Sequence, residues 1–192
     1  MHPEDMLSLE EWHALLGAAQ TPQQIALLWT LAGTGMRISE VCSCRVEHID
    51  RKAGYVHVIA GKGGKARTCF IPENAMQAID AHLQGRVSGF VFEGRQGGHL
   101  SSVQAGRSLD EIALRAGLQF TRPGVLRDRK RVTPHLLRHS FARWSLDAGV
   151  DVSYLQQQLG HADLNTTAIY LKVRPNHRRA AYERAGFNAL LG

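Results

Sequence analysis

Four side chains between Thr133 and Tyr170 are of types that could do chemistry together. His135 and Arg138 lie three residues apart, so on a helix they would share one face. His161 directly follows the end of a predicted helix, and Tyr170 comes nine residues later. Arginine binds anions, histidine exchanges protons near neutral pH, and a tyrosine phenol can act as a nucleophile. We expect the three successive elements that carry these side chains to converge on one point.

Each of these side chains also has an ordinary structural interpretation. A histidine on an amphipathic helix is usually half-buried and hydrogen-bonded, and Arg138 could be a surface charge. A tyrosine near an apolar run usually belongs to the core. The functional interpretation therefore depends on finding the other members of a set.

The composition favours a globular protein that binds nucleic acid. The chain has 192 residues, of which 44% are hydrophobic and 21% charged, as expected for one globular domain. Its net charge is +6, and arginine outnumbers lysine by 18 to 5. Arginine can bind phosphate in a bidentate manner that lysine cannot, so nucleic acid is the predicted partner class. A merely basic surface is the alternative.

Several other classes of protein are disfavoured. No apolar run approaches the roughly 20 residues that cross a bilayer, and nothing near Met1 resembles a signal peptide. We therefore expect a cytoplasmic protein with no membrane partner. The three cysteines, Cys42, Cys44 and Cys69, are an odd number and too few for a disulfide framework. No zinc site is expected either.

Capping residues and apolar spacing predict a mostly helical chain. The predicted helices cover about 9–19, 22–33, 72–83, 102–116, 134–148 and 152–159, followed by a short helix that carries Tyr170 and a last helix over 177–185. The segment Phe90-Val91-Phe92 is interpreted as either a short strand or a buried loop. No internal repeat is present.

Arg37 lies at the start of another predicted helix, just after a glycine-containing turn. This is a favourable place for an exposed cation that faces an anion. The alternative is a helix-terminal arginine that pairs with Glu40, three residues later.

One β-hairpin is predicted, with a basic tip. Tyr55–Ile59 is rich in β-branched and aromatic residues, and Arg67–Ile71 reads as the return strand. The tip, Gly61–Lys65, lacks the spacing of a nucleotide-binding P-loop. Lys62 at such a tip can reach into a groove, although a solvated turn is the alternative.

The densest basic segment runs from 122 to 131. Its cations, together with Lys65 of the hairpin tip, are candidate contacts to a phosphate backbone. They are Arg122, Arg127, Arg129, Lys130 and Arg131. A solvated loop is the alternative.

Five segments in register resemble the tyrosine recombinase family, also called phage integrases. They are Thr34-Gly35-Met36-Arg37-Ile38-Ser39-Glu40, Gly61-Lys62-Gly63-Gly64-Lys65, His135-Leu136-Leu137-Arg138-His139, Leu159-Gly160-His161-Ala162-Asp163, and Tyr170. The resemblance covers about residues 7–175. It implies an α+β fold: a mostly helical catalytic domain with a small antiparallel β-sheet from 55 to 71, as in DNA breaking-rejoining enzymes.

The resemblance also implies roles for individual residues. Arg37 and Arg138 would be the phosphate-clamping arginines, Lys62 the general acid, His135 and His161 the two histidines of the site, Tyr170 the nucleophile, and Glu40 an acidic residue that orients the site. The implied reaction cleaves and rejoins double-stranded DNA through a covalent 3′-phosphotyrosine. It uses no metal, ATP, other cofactor or small-molecule substrate.

The implied organisation is a catalytic domain over 1–175 and a C-terminal helix and tail over 176–192. We expect the tail to dock on a neighbouring protomer in a dimer or tetramer on DNA, with docking in cis as the alternative. The separate N-terminal core-binding domain, a DNA clamp usual in this family, is expected to be absent from this chain. Two other functions remain open: DNA relaxation like that of type IB topoisomerases, and a DNA-binding regulator on a recombinase scaffold.

Overall fold

The computed structural model of the chain describes residues 6–59, 66–94, 97–118 and 132–160. Those residues form seven α-helices and a three-stranded antiparallel sheet. The elements in chain order are α1 (Leu9–Ala18), α2 (Pro22–Thr34), α3 (Ile38–Cys42), β1 (Ile49–Asp50), β2 (Tyr55–Val58), β3 (Arg67–Phe70), α4 (Glu73–Leu83), α5 (Ser102–Arg115), α6 (Pro134–Asp147) and α7 (Val152–Leu159). The predicted α+β class is confirmed. The two helices predicted beyond 160 lie outside the described residues.

Local capping chemistry starts most of the long helices where the sequence predicts. In each case a side-chain oxygen accepts a hydrogen bond from a backbone N–H of the first turn, which typically stabilises a helix by about 1 kcal/mol. The capping residues are Ser8 for α1, Thr21 for α2, Ser101 for α5, Thr133 for α6 and Asp151 for α7. Because these bonds span only two or three residues, the sequence alone reveals them.

The sheet contains one strand that the sequence analysis does not predict. Strand β1 pairs with β2 through Ile49 and Val56, and β2 pairs with β3 over four residue pairs. Two residues are too short to show alternation, so β1 has no sequence signal. The segment that begins at Phe90 is a buried loop, joined to Arg45 by a single β-bridge.

Helix α2 lies at the centre of the core. From Ile25 to Ala32 its side chains are apolar except for that of Thr30, as expected for a helix largely surrounded by protein. It contacts α4, α5 and α6, and Leu27, Leu28 and Leu31 are almost fully buried. A second, smaller apolar cluster joins Ala142 of α6 to Leu155 and Leu159 of α7. Within the described ranges, none of the helices is both long and apolar enough to cross a membrane.

Gly35 ends α2 in a left-handed conformation and allows close packing there. Its φ is +64°, and a Cβ at this position would lie 2.4 Å from the ring of Phe141 and 2.9 Å from Leu159. A side chain is therefore excluded by both backbone strain and space. As a result, α6 and α7 approach the turn that leads directly to Arg37.

Candidate active site

Arg37 occupies the N-cap position of α3 and pairs with Glu40. Its backbone N–H donates to Oε2 of Glu40 at 2.8 Å, and its Nη1 donates to Oε1 at 3.1 Å. The ion pair that the sequence leaves as an alternative is therefore present. Half of the Arg37 side chain stays exposed, so the pair does not prevent the guanidinium from meeting an external anion.

Glu40 is held by a second arginine, Arg67, at the start of β3. Nη1 and Nη2 of Arg67 donate to Oε1 and Oε2 of Glu40, both at 2.8 Å. Burial of the Glu40 carboxyl acts to raise its pKa. The hydrogen bonds from Arg67 and from the Arg37 backbone, together with both positive charges, outweigh burial and lower the pKa to about 2. Glu40 is therefore ionised at neutral pH.

Arg138 is buried, with 7% of its surface exposed, so its interpretation as a surface charge is wrong. Its Nη1 donates to the carbonyl of Gly35 at 2.5 Å, and its Nη2 donates to the carbonyl of Leu159 at 2.7 Å. Carbonyls at a helix end lack partners within their own helix. Arg138 supplies hydrogen-bond donors to these carbonyls at the ends of α2 and α7. In the chain, Gly35 lies two residues before Arg37, and Leu159 lies two residues before His161.

His135 lies in the first turn of α6 and is exposed. Its ring packs almost perpendicular to that of His139, with the ring centroids 4.2 Å apart. An exposed imidazole at this position is accessible to a substrate that approaches α6, whereas Arg138, on the following turn, faces the interior.

Hydrogen bonds from the side chain of Gln158 connect the end of α7 to β3 and α2. Its Nε2 donates to the carbonyls of Thr34 at 2.9 Å and Phe70 at 3.0 Å, and its Oε1 accepts from the Phe70 N–H at 2.9 Å. Gly160 then ends α7 with a φ of +65°, as predicted for a C-cap glycine. Gln158 and Gly160 together fix the place where α7 ends.

The remaining predicted site residues lie outside the described residues. They are Lys62, Lys65, Arg122, Arg127, Arg129, Lys130, Arg131, His161 and Tyr170. Of the predicted catalytic set, Arg37, His135 and Arg138 are described, together with Glu40. Hydrogen bonds connect Arg37 to Glu40 directly and bring Arg138 to the turn before Arg37.

Sequence reasoning gave no site role to Arg67 or Gln158. Arg67 reads only as the start of a return strand, and Gln158 lies in a polar run of α7. Their partners are far away in the chain: Glu40 is 27 residues from Arg67, and Thr34 is 124 residues from Gln158. Local periodicity carries no signal for contacts over such separations.

The three cysteines are unsuited to act as competing nucleophiles. All are buried and free of disulfides. Burial raises the pKa of Cys42 to about 11 and that of Cys44 to about 12, so both thiols stay protonated at neutral pH. Among the residues that the structure describes, no group of three or more His, Cys, Asp or Glu side chains is arranged to hold a metal ion.

Comparison with known proteins identifies the family of the chain. The model of the phage integrase family matches residues 5–177. The chain belongs to this family. The match includes every segment on which the sequence resemblance is based, and it confirms that resemblance.

Several curated proteins named tyrosine recombinases are similar in sequence to this chain. XerA of Pyrococcus furiosus is 40% identical over 160 residues, which cover 81% of this chain and 52% of that protein. XerD of Mycobacterium tuberculosis is 37% identical over 169 residues, which cover 83% of this chain and 51% of that protein. The chain thus spans about half the length of these relatives.

Solved structures show the same fold. A crystal structure of XerA recombinase matches with a TM-score of 0.77 and 29% identity, covering 96% of this chain and 66% of that one. The Tn1549 transposon integrase, solved in complex with transposon right end DNA, matches with a TM-score of 0.75 and 21% identity, covering 97% of this chain and 67% of that one. The second likeness concerns the fold alone.

The pairing of Glu40 should make the stability of the protein depend on pH. Because one pKa unit corresponds to about 1.4 kcal/mol, lowering the pKa from 4.5 to about 2 stabilises the folded state by on the order of 3 kcal/mol at pH 7. A depressed pKa stabilises above the unfolded-state value, and the effect is lost as pH falls through the folded-state value. Glu40→Gln should therefore lower the free energy of unfolding at pH 7, and by roughly half as much or less at pH 3.

Urea unfolding of the wild type and Glu40→Gln at both pH values checks this expectation. Asp80→Asn is a matched control, since Asp80 forms an ion pair with Arg51 in which both side chains are more than 40% exposed. The control should lower stability little. An equal loss for Glu40→Gln at pH 7 and pH 3 would contradict the assignment of the charge interaction.

Proposed function

We propose that this chain is the catalytic domain of a site-specific DNA recombinase that cleaves and rejoins DNA through a covalent 3′-phosphotyrosine. Family membership and the relatives named tyrosine recombinases support the proposal. The structural observation that carries it is the joining of two arginines at one turn. Arg138 donates to the carbonyl of Gly35, two residues before Arg37, although the bonded residues are 103 apart in the chain.

In the proposed mechanism, the phenol oxygen of Tyr170 attacks the scissile phosphorus. A bond from tyrosine to phosphorus forms, the bond from phosphorus to the 5′ oxygen breaks, and Lys62 donates a proton to the departing oxygen. Arg37 and Arg138 stabilise the negative charge that builds up on the non-bridging oxygens. His161 helps to position the phenol of Tyr170 and accepts its proton, and His135 is the second histidine of the site.

Rejoining is the reverse reaction with the 5′-hydroxyl of another strand. That hydroxyl attacks the phosphotyrosine and releases Tyr170, so one phosphoester bond replaces another at every step. The energy of the original bond is retained, and the reaction needs no ATP.

We further propose double-stranded DNA in the cytoplasm as the substrate and self-association on DNA as the working state. The net charge of +6 favours phosphate contacts. Lys65 and the basic segment 122–131 are the proposed contacts to the DNA backbone. The tail over 176–192 is proposed to dock on a neighbouring protomer.

Trapping the covalent intermediate tests the proposed function. The protein is mixed with a randomised pool of duplexes that carry a nick beside the scissile position, so that the short 5′-hydroxyl fragment diffuses away and rejoining fails. We expect a protein–DNA adduct that survives denaturing electrophoresis. Its formation should continue in excess chelator, because arginines rather than a metal stabilise the charge in this mechanism.

Two results would refute the mechanism. One is the absence of any adduct across the whole pool. The other is loss of the adduct in chelator and its recovery on adding magnesium, which would mean that a metal does the work assigned to the arginines. Strand exchange between two selected sites, compared with relaxation of a supercoiled plasmid, separates a recombinase from a topoisomerase-like enzyme.

A further inference from the structure

Arg67 is enclosed by groups from two helices, α3 and α7. Its side chain is only 12% exposed, and its two terminal nitrogens bind the two oxygens of Glu40. Its Nε donates to the main-chain carbonyl of Gln158 at 3.0 Å. All three nitrogens of the planar guanidinium therefore donate a hydrogen bond, and the single ammonium group of lysine cannot reproduce this geometry.

The end of α7 fixes Arg67 from the opposite side. A Cβ at Gly160 would lie 2.9 Å from Cδ and Nε of Arg67, so the absence of a side chain there lets the guanidinium pack against the backbone. The carbonyl of Gln158 binds Arg67, and the next carbonyl, that of Leu159, binds Arg138. Two arginines thus hold successive carbonyls in the last turn of α7.

Through Glu40, Arg67 restricts the position of Arg37. Oε1 of Glu40 accepts from Nη1 of Arg67 and from Nη1 of Arg37, while Oε2 accepts from Nη2 of Arg67 and from the Arg37 backbone N–H. Each carboxylate oxygen therefore bridges the two arginines. With both oxygens bound to Arg67, the carboxylate cannot rotate away from Arg37 without breaking two charge-assisted hydrogen bonds.

We propose that Arg67 is a positioning residue, which aligns the guanidinium of Arg37 with the scissile phosphate through the carboxylate of Glu40. The inference rests on the proposed function, since it concerns the same site. It adds a residue outside the implied catalytic set, and it connects the end of α7, from which His161 begins, to the arginine at the start of α3.

The test measures the rate of covalent adduct formation in a single turnover at saturating nicked DNA. Arg67→Met should slow the rate by about 100-fold, because a displacement of about 1 Å in a reacting group can cost this much. The dissociation constant for DNA should change by less than about threefold, because a side chain that is 12% exposed contributes little to a phosphate surface. Arg67→Lys, which keeps the charge and loses the fork, should be slowed by about tenfold.

Arg51→Met is the matched control. Arg51 also forms an ion pair, with Asp80, but both side chains are more than 40% exposed and Glu40 is not involved. This variant should keep the wild-type rate. All rates are measured at a temperature at which circular dichroism shows each variant to be folded.

A double-mutant cycle separates positioning from a general structural effect. If Arg67 acts through Arg37, Arg67→Met should slow the Arg37→Ala protein far less than it slows the wild type. Equal slowing in both backgrounds would overturn the inference. If Arg67→Met does not fold, the same cycle is measured with Arg67→Lys. A wild-type rate for Arg67→Lys would also overturn the inference.

The outcomes distinguish this inference from the proposed function. If the wild type forms no adduct, the proposed function itself fails, whereas adduct formation at an unchanged rate in the Arg67 variants refutes the positioning role alone.

Discussion

Tyr170→Phe is expected to reduce covalent adduct formation below detection. Phenylalanine keeps the ring but lacks the oxygen that bonds to phosphorus in the proposed mechanism. DNA affinity should stay within about twofold of the wild type, because the substitution removes no charge and phosphate contacts generally dominate the affinity of a protein for DNA. The readouts are denaturing electrophoresis of labelled DNA for the adduct and a native gel for binding.

Tyr154→Phe provides the matched control for this substitution. Tyr154 lies on α7 and is 68% exposed, so it tests whether removing a tyrosine hydroxyl elsewhere in the protein affects the reaction. It should form the adduct at the wild-type rate. An adduct that persists in Tyr170→Phe would show that another residue is the nucleophile.

Arg138→Met should have the second largest effect, on both stability and catalysis. The substitution leaves the carbonyls of Gly35 and Leu159 buried without the donors that they have now. Each unsatisfied buried polar group costs about 1–3 kcal/mol, so the free energy of unfolding should fall by roughly 2–6 kcal/mol. In the proposed mechanism Arg138 stabilises the transition state, so its loss should also slow adduct formation by about 10²–10³-fold in the protein that remains folded.

The neighbouring Arg143 offers a control on the same helix. Its Nε donates to Asp147 one turn later, and the acceptor side chain is 38% exposed. Arg143→Met should therefore cost less than about 1 kcal/mol and leave the rate unchanged. If Arg138→Met is as stable as Arg143→Met, the carbonyl contacts do not hold α2 and α7 as inferred. If stability falls while the rate per folded molecule is unchanged, the role of Arg138 is structural only.

Arg37 and Arg138 belong to one predicted pair, yet their environments differ. Arg37 is half exposed and shares Glu40 with Arg67, whereas Arg138 is buried and bonded to backbone carbonyls. The exposed member can meet the phosphate directly. The buried member also sets the positions of the helix ends that carry the other groups, so the two substitutions should differ in their effect on stability.

The sequence by itself determined the helices and the family. Ser8, Thr21 and Thr133 begin helices by bonding to backbone N–H groups three residues away, and this chemistry is fully contained in a short segment. The family resemblance likewise depends on short motifs whose order is visible in one chain. The match to the phage integrase family over residues 5–177 confirms it.

Tertiary structure alone decided how the described site residues are held. The bonds of Arg67 to Glu40 and to Gln158 span 27 and 91 residues, and that of Arg138 to Gly35 spans 103. The burial of Arg138 also depends on packing, because the same helical position would be solvated if α2 and α7 did not end against α6. Local propensity acts over a few residues. The hydrogen-bond acceptors of a buried arginine, in contrast, are determined only when packing of the core brings the helix ends together.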